Sequence, residues 1–163
     1  MKQIDRFLLA IIVGVVVLVV VALVMVLTRT PQGYLPDTTP GGVAHNYLLA
    51  LKQYDDARAY GYLASDLAGY PPSVDDFGAD IDSRYRWAFN REAATISVGE
   101  ERITGDRAVV TVSETHFAAG GLFRSGQYNR SFSMTLRRQG EEWRIVSAES
   151  YWAACWSESR PCQ

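Results

Sequence analysis

The sequence predicts an α+β fold: an N-terminal transmembrane helix, followed by three helices packed on a curved antiparallel four-stranded sheet. Three observations lead to this prediction. Residues 7–27 are apolar with no charge or proline among them. Between residues 40 and 88 apolar side chains recur at helical spacing, and from residue 93 they alternate with polar ones, as in strands with one buried face. Helices followed by a run of strands are typical of an α+β domain.

The apolar run is long enough to cross a bilayer. As an α-helix its 21 residues would span about 31 Å, the thickness of the hydrocarbon core. A cleaved signal peptide has an apolar region of fewer residues, followed by a small-residue cleavage site. This run is longer, and no such site follows it. Because Lys2 and Arg6 precede the run and only Arg29 closely follows it, we expect a cytoplasmic N-terminus and a domain on the outer, extracytoplasmic side.

The rest of the chain is expected to form one folded unit with short flanking segments. The formal net charge is -2, and acidic and basic residues are interspersed. Without a basic face, nucleic-acid binding is excluded as a function. The expected divisions are a cytoplasmic stub at 1–6, a transmembrane helix at 7–27, a linker at 28–39, a domain at 40–150 and a C-terminal tail at 151–163.

Each of the three domain helices has a start signal. Thr39 precedes Pro40 as an N-cap, Asp55 is placed to cap the second helix, and Ser73 stands before the acidic first turn of the third. The expected buried lines are Val43, Tyr47, Ala50 and Tyr54 in the first helix, Ala57, Tyr60, Ala64 and Leu67 in the second, and Val74, Phe77, Ile81, Tyr85 and Ala88 in the third.

Four strands are predicted at about 93–103, 107–117, 127–138 and 142–150. Thr104-Gly105-Asp106 and Gln139-Gly140 are tight-turn signals between the first two and the last two strands. A longer loop at 118–126, with three glycines, joins the second strand to the third.

This order of elements resembles the nuclear transport factor 2-like superfamily, in which a bent sheet wraps helices into a cone. The resemblance covers residues 40–150 and is carried by the helix at 40–51, the segment YDDARAYGYL at 54–63 and the strand GEEWRIV at 140–146. It is most similar to bacterial membrane-anchored members of uncharacterised function. The resemblance implies a cone that can host ligands or catalysis, but no catalytic residue is carried over by a matching motif.

The expected strand register gathers polar side chains at one end of the core face of the sheet. Arg130 should oppose Glu114 across one hairpin and Glu149 across the next. An acid–base group at a cavity mouth is one interpretation, and a cross-strand ion ladder of little energetic value is the other. The candidate pocket residues are Glu114, His116, Tyr128, Arg130 and Glu149, with Tyr151 beside them.

Apolar and aromatic side chains outside the helices and strands are candidate partner contacts. They are Leu122 and Phe123 in the glycine-rich loop, and Tyr151, Trp152 and Trp156 in the tail. Such residues on a loop tip can mark a contact site. The alternative is that the tail aromatics cover the end of the sheet as part of the core.

Two cysteines, Cys155 and Cys162, lie in the tail. On the outer side of a membrane they are expected to form a disulfide that closes a short loop, and two free thiols are the alternative. They have neither CxxC spacing nor a nearby histidine, which is unlike a metal or redox pair. We therefore expect no metal, no cofactor and no catalytic residue.

Together these features favour a non-enzymatic, membrane-tethered interaction or accessory domain. Its expected partners are the lipid bilayer, through residues 7–27, and a protein or larger membrane complex. A small-ligand-binding module with a pocket in the cone is the alternative function. An enzyme that uses general acid–base chemistry is the third.

Overall fold

The computed structural model describes residues 6–27, 33–85, 93–120, 124–158 and 162. The chain divides into two compact units, Met1–Gly33 and Tyr34–Gln163. The first unit contains helix α1, Arg6–Leu27, and its segment Leu8–Met25 is long and apolar enough to cross a membrane. None of the side chains in that segment is buried.

The second unit confirms the predicted α+β fold. Its four strands form one antiparallel sheet in the order β1-β2-β3-β4. A short 3₁₀ helix, Ala154–Ser157, follows the sheet. Within the described residues the other elements are α2 Pro40–Lys52, α3 Asp56–Gly61, α4 Val74–Asp82, β1 Ala93–Thr104, β2 Arg107–Gly120, β3 Arg124–Gln139 and β4 Glu142–Ala148.

All three predicted helix starts are confirmed by capping hydrogen bonds. The side chains of Thr39, Asp55 and Ser73 each accept a hydrogen bond, at 3.1 Å, from the backbone N–H three residues later. These bonds satisfy donors that the first turn of a helix leaves without an intrahelical partner.

Helix α3 is shorter than predicted, because the chain leaves it to pair with the sheet. Leu63 forms an isolated parallel bridge with Ile145 of β4, and the N–H of Ala64 donates to the Ile145 carbonyl at 2.9 Å. The buried helical line expected through Ala64 is therefore wrong beyond Gly61, and Ala59 rather than Ala57 is its buried alanine. In α4 the predicted Phe77 and Ile81 are buried, whereas Ala88 lies outside the described residues.

The glycine-rich connection between β2 and β3 is mostly strand. The ladder continues through Ala118 opposite Gly126 to Gly120 opposite Arg124. A loop over all of 118–126 is therefore wrong. Small residues have low strand propensity. The β2–β3 ladder, which starts at Arg107 opposite Arg137, nevertheless continues through them.

The register of β3 on β4 also differs from the prediction. Gln139 pairs with Glu142, so the turn consists of Gly140 and Glu141 rather than Gln139 and Gly140. Gly140 has φ +65°, as the first position of a type II′ turn requires. A further irregularity between Thr135 and Leu136 shifts the pairing by one more residue.

The core lies between the helices and one face of the sheet. Helix α2 packs on β1, β2 and β4 and also contacts α3. The largest fully buried apolar side chains of the core are Trp156, Tyr47, Phe77, Leu48, Leu51, Ile81, Met134, Leu136, Ile145, Val43 and Val110. The helices thus cover the inner sheet face.

The end of the predicted linker is hydrogen-bonded to α2 through the side chain of Asn46, which is 1% exposed. Its Oδ1 accepts from the Leu35 N–H at 2.8 Å, and its Nδ2 donates to the Leu35 carbonyl at 2.7 Å. A buried amide needs such partners. Because of them, Leu35 belongs to the folded unit.

Candidate functional site

The aromatic tail lies in the core of the second unit. Tyr151, Trp152 and Trp156 are 3%, 5% and 0% exposed. The Trp156 ring stacks on Phe77, with centroids 5.1 Å apart, and its Nε1 donates to Asp80 Oδ2 at 2.8 Å. The hypothesis that these three aromatics form a surface contact is therefore corrected, and the packing alternative describes them.

Hydrogen bonds from two tyrosines fix the backbone of this tail. The Tyr47 hydroxyl donates to the Tyr151 carbonyl at 2.6 Å, and the Tyr85 hydroxyl donates to the Trp152 carbonyl at 3.0 Å. Burial raises the pKa of Tyr47 well above its usual value, so the phenol stays protonated as a donor.

The structure joins Cys155 and Cys162 in a disulfide, with their Cα atoms 5.3 Å apart. Asp80 lies close to both sulfurs, and these three residues could in principle supply a metal with ligands. The disulfide occupies both sulfurs, however, and Asp80 accepts the Trp156 hydrogen bond. This group is therefore structural.

The other predicted contact residues, Leu122 and Phe123, lie outside the described residues. They stay a prediction. The strands on either side of them end at Gly120 and resume at Arg124.

The β2–β3 half of the predicted polar group has the expected register. Glu114 pairs with Arg130 and His116 pairs with Tyr128. Glu114 is 1% exposed on the core face, and Arg130 is exposed. The side chains of His116 and Tyr128 lie outside what the structure describes, so their role in a pocket stays a prediction.

Glu149 does not oppose Arg130, and that predicted pairing is wrong. The backbone N–H of Glu149 donates to the Ser133 carbonyl at 3.1 Å, and its Oε2 accepts from the Ser133 N–H at 2.9 Å. The carboxylate of Glu149 therefore closes the end of the β3–β4 pairing three positions from Arg130 along β3. The shifted turn and the register irregularity are the physical reasons.

Among the described residues of the second unit, two further cavities are lined by side chains other than the predicted pocket residues. The first, of about 400 Å³, we call the arginine groove. The second has about 300 Å³. The arginine groove is lined by Arg102, Thr104, Asp106, Arg107, Val109 and Arg137, and the second cavity by Gly61, Leu63, Ser65, Tyr70, Gln139, Glu142 and Arg144.

The arginine groove was not predicted, although the alternation of the strands contains its signal. Ala108 and Leu136 pair and are buried, so their neighbours Arg107 and Arg137 pair on the opposite, outer face of the sheet. In sequence these arginines look like ordinary solvated strand positions. Only the register places them directly opposite one another.

The second cavity contains a tyrosine with altered acidity. Burial, and to a smaller extent the hydrogen bond with Tyr60, raise the pKa of Tyr70 to about 12. Nearby, Arg144 pairs with Glu142 and its Nη1 donates to the Gly61 carbonyl at 2.7 Å. Arg144 is therefore held by two partners, and Tyr70 supplies the cavity with a protonated phenol.

Comparison with known proteins supports the fold and no particular activity. No model of a known family matches the sequence, and no curated protein matches it either. The solution structure of a SEC-C motif-containing protein from Rhodopseudomonas palustris is similar, with a TM-score of 0.50 at 15% identity, over 76% of this chain and 84% of that one.

A nuclear transport factor 2-like protein with a cystatin-like fold, from Novosphingobium aromaticivorans, has a TM-score of 0.48 at 15% identity. The match covers 90% of this chain and 89% of that one. At such identities the likeness concerns the fold alone. Helices packed on one face of a four-stranded meander are the architecture that the resemblance to the nuclear transport factor 2-like superfamily implied.

Proposed function

We propose that this chain is a single-pass membrane protein whose folded unit serves as an interaction or accessory domain. The observation that carries the proposal is the helix segment Leu8–Met25, which has no buried side chain. Leu18, for example, is 71% exposed. A continuous apolar surface of this length is strongly unfavourable in water, and lipid is the environment that covers it.

The domain is proposed to lie on the outer side of the membrane. Lys2 and Arg6 before the helix, against Arg29 after it, support this orientation. The disulfide between Cys155 and Cys162 also supports it, because disulfides persist in oxidising compartments and are rare in the cytosol.

An interaction role is preferred over a ligand pocket because the tail fills the core. Tyr151 packs against Phe132 with ring centroids 5.8 Å apart, and Trp156 is fully buried against α4. These side chains occupy space between the helices and the sheet that a ligand in a cone would need. Among the described residues, the arginine groove and the second cavity are lined by other side chains.

A small-ligand-binding module is the second candidate, and the burial of Glu114 favours it. A carboxyl group that is only 1% exposed is uncommon in proteins. Glu114 also opposes Arg130 in the ladder. A polar ligand at this end of the inner face would give the buried carboxyl a function.

Cross-linking in intact membranes, followed by purification in mild detergent, separates the two candidates. The interaction proposal predicts that wild type and Glu114→Gln carry the same protein partner in the same ratio, because a surface contact does not need that carboxyl. A chain that purifies alone, and that binds a small molecule which Glu114→Gln no longer binds, contradicts the interaction proposal and favours the second candidate.

A further inference from the structure

We propose that the arginine groove is a binding site for a phosphate group, either in solution or on a phosphomonoester lipid. The groove is a concave surface of about 400 Å³ on the outer face of the sheet, beside the β1–β2 turn. That volume lies within the range of ordinary ligand sites. The inference does not depend on the proposed function, since it uses no residue of the anchor helix or of the inner sheet face.

Strand register brings the positive charges together. Arg107 and Arg137 are direct cross-strand partners on β2 and β3. Arg102 joins them from β1, where it pairs with Val109, two residues beyond Arg107 on the same face. Like charges placed directly opposite each other in a sheet are destabilising. An anion between these side chains would remove that repulsion.

Two of the three guanidinium groups already have a carboxylate partner. Arg137 Nη2 contacts both oxygens of Asp66 at 2.5 Å, which fixes its position at the edge of the groove. Arg102 contacts Glu100 at 3.6 Å, but both side chains are more than 70% exposed. Such an exposed pair is weak and can exchange for another anion.

Arg107 is the free member of the group. Among the described residues it makes no ion pair or hydrogen bond through its guanidinium group, and the lining carboxylate of Asp106 makes none with it. Its fork of N–H donors is therefore available between two neighbours of the same charge. A guanidinium group matches the oxygens of a phosphate with paired hydrogen bonds.

The remaining lining groups suit a small oxyanion better than an apolar ligand. Thr104, directly opposite Arg107 in the ladder, adds a hydroxyl that can donate to an anion. Asp106 contributes one negative charge to a lining that holds three arginines. Val109 is the one apolar side chain of the lining.

Isothermal titration of the full chain in zwitterionic detergent tests the site with two probes. One arm adds inorganic phosphate, and the other adds mixed micelles that contain phosphatidic acid. Arg107→Gln should weaken binding about tenfold or more, the effect of losing a charge-assisted hydrogen-bonded pair. Lys52→Gln, which removes one positive charge from the end of α2, should leave it unchanged.

Binding of phosphate in solution identifies a soluble ligand, and binding only of the phosphatidic acid micelles identifies a lipid headgroup; either result supports the site. The proposal is overturned if neither probe binds at millimolar concentration. It is also overturned if Arg107→Gln binds as tightly as wild type, or if Lys52→Gln loses affinity equally. None of these results bears on whether α1 spans a membrane.

Discussion

Tyr54 is one of two residues other than glycine, with Tyr151, that have a positive φ among the described residues. It lies just after α2 with φ +60°, a left-handed conformation that costs residues other than glycine about 1–2 kcal/mol. The following N–H, of Asp55, donates to the Ala50 carbonyl at 2.9 Å, and the Tyr54 N–H donates to Leu51 at 3.2 Å. These two bonds form a Schellman motif, in which glycine is the usual residue.

Replacing Tyr54 should therefore separate the conformation of the backbone from the contacts of the side chain. We expect Tyr54→Gly to be more stable than Tyr54→Ala by about 1 kcal/mol, because both variants lose the side chain and only glycine relieves the strain. Chemical denaturation of both variants measures the difference. Equal stabilities would contradict a strained position.

The raised pKa of Tyr70 predicts how stability depends on pH at the alkaline end. The folded protein holds this phenol at a pKa of about 12, chiefly because of burial, whereas an unfolded tyrosine titrates near 10. Folding therefore favours the protonated form. The contribution is fully present below pH of about 10 and is lost as pH rises toward about 12.

Tyr70→Phe removes this titrating group and should flatten the alkaline loss of stability relative to wild type. Unfolding temperatures measured between about pH 8 and pH 12, a range that includes both pKa values, give the comparison. Wild type and Tyr70→Phe curves that fall in parallel would show that Tyr70 does not contribute. Other buried tyrosines, such as Tyr47, remain in both proteins and cancel in the difference.

At the scale of elements, the C-terminal tail and the segment after α3 depend on each other. A Cβ atom on Gly69 would lie 2.0 Å from the Cys155 carbonyl oxygen and 2.7 Å from that of Glu158, and both are backbone atoms. The Gly69 N–H also donates to the Trp156 carbonyl at 3.2 Å. The tail can hold its buried position only while residue 69 lacks a side chain.

Gly69→Ala should destabilise the protein by about 1–3 kcal/mol, the usual effect of overpacking. Gly61→Ala is the matched control, because a Cβ there meets nothing within 4 Å. Its stability should be unchanged or slightly higher, since alanine favours a helix. Denaturation followed by tryptophan fluorescence reports both, and an equal effect of the two substitutions would refute the close contact.

The disulfide should stabilise the same tail. Its cysteines are seven residues apart, and closing a loop of this size is worth about 2–3 kcal/mol in the chain-entropy model. We expect a reductant to lower the unfolding temperature of wild type and to leave a Cys155→Ser/Cys162→Ser double variant unaffected. Two free thiols in protein prepared without reductant would contradict the pairing.

The positions of helices and strands were easier to predict from the sequence than the register in which the strands pair. Helix starts follow from capping side chains such as Thr39, which act locally. The β2–β3 register was also correct, because alternation leaves only one choice of buried face. Between the turn and Leu136 the β3–β4 register was wrong by two residues, which keeps Trp143 facing the core. Alternation cannot detect such a shift.

The candidate site was the harder part for the same reason. Glu149 was expected beside Arg130. The shifted turn and an irregularity after Thr135, which has no sequence signal, together place it beside Ser133. Whether Trp156 packs or docks depends on long-range contact with Phe77, and local sequence does not encode that contact. The arginine groove likewise exists only once β1, β2 and β3 are in register.

At the scale of the whole molecule, the two units differ in whether their apolar side chains are buried. Tyr34–Gln163 buries its apolar side chains in its own core, whereas Leu8–Met25 buries none. A soluble unit that carries so long an exposed apolar helix is expected to aggregate in water and to be stable with that helix in a bilayer. The proposed function therefore rests above all on a membrane anchor, with the domain on the outer side.

Protease protection in intact cells tests that claim most directly, with an epitope tag at the C-terminus of the full chain. We expect the tagged chain to stay in the membrane pellet after alkaline extraction. We also expect protease added outside intact cells to remove the tag. A chain released into the supernatant would contradict the anchor. A tag that is degraded only after the cells are lysed would contradict the outward orientation.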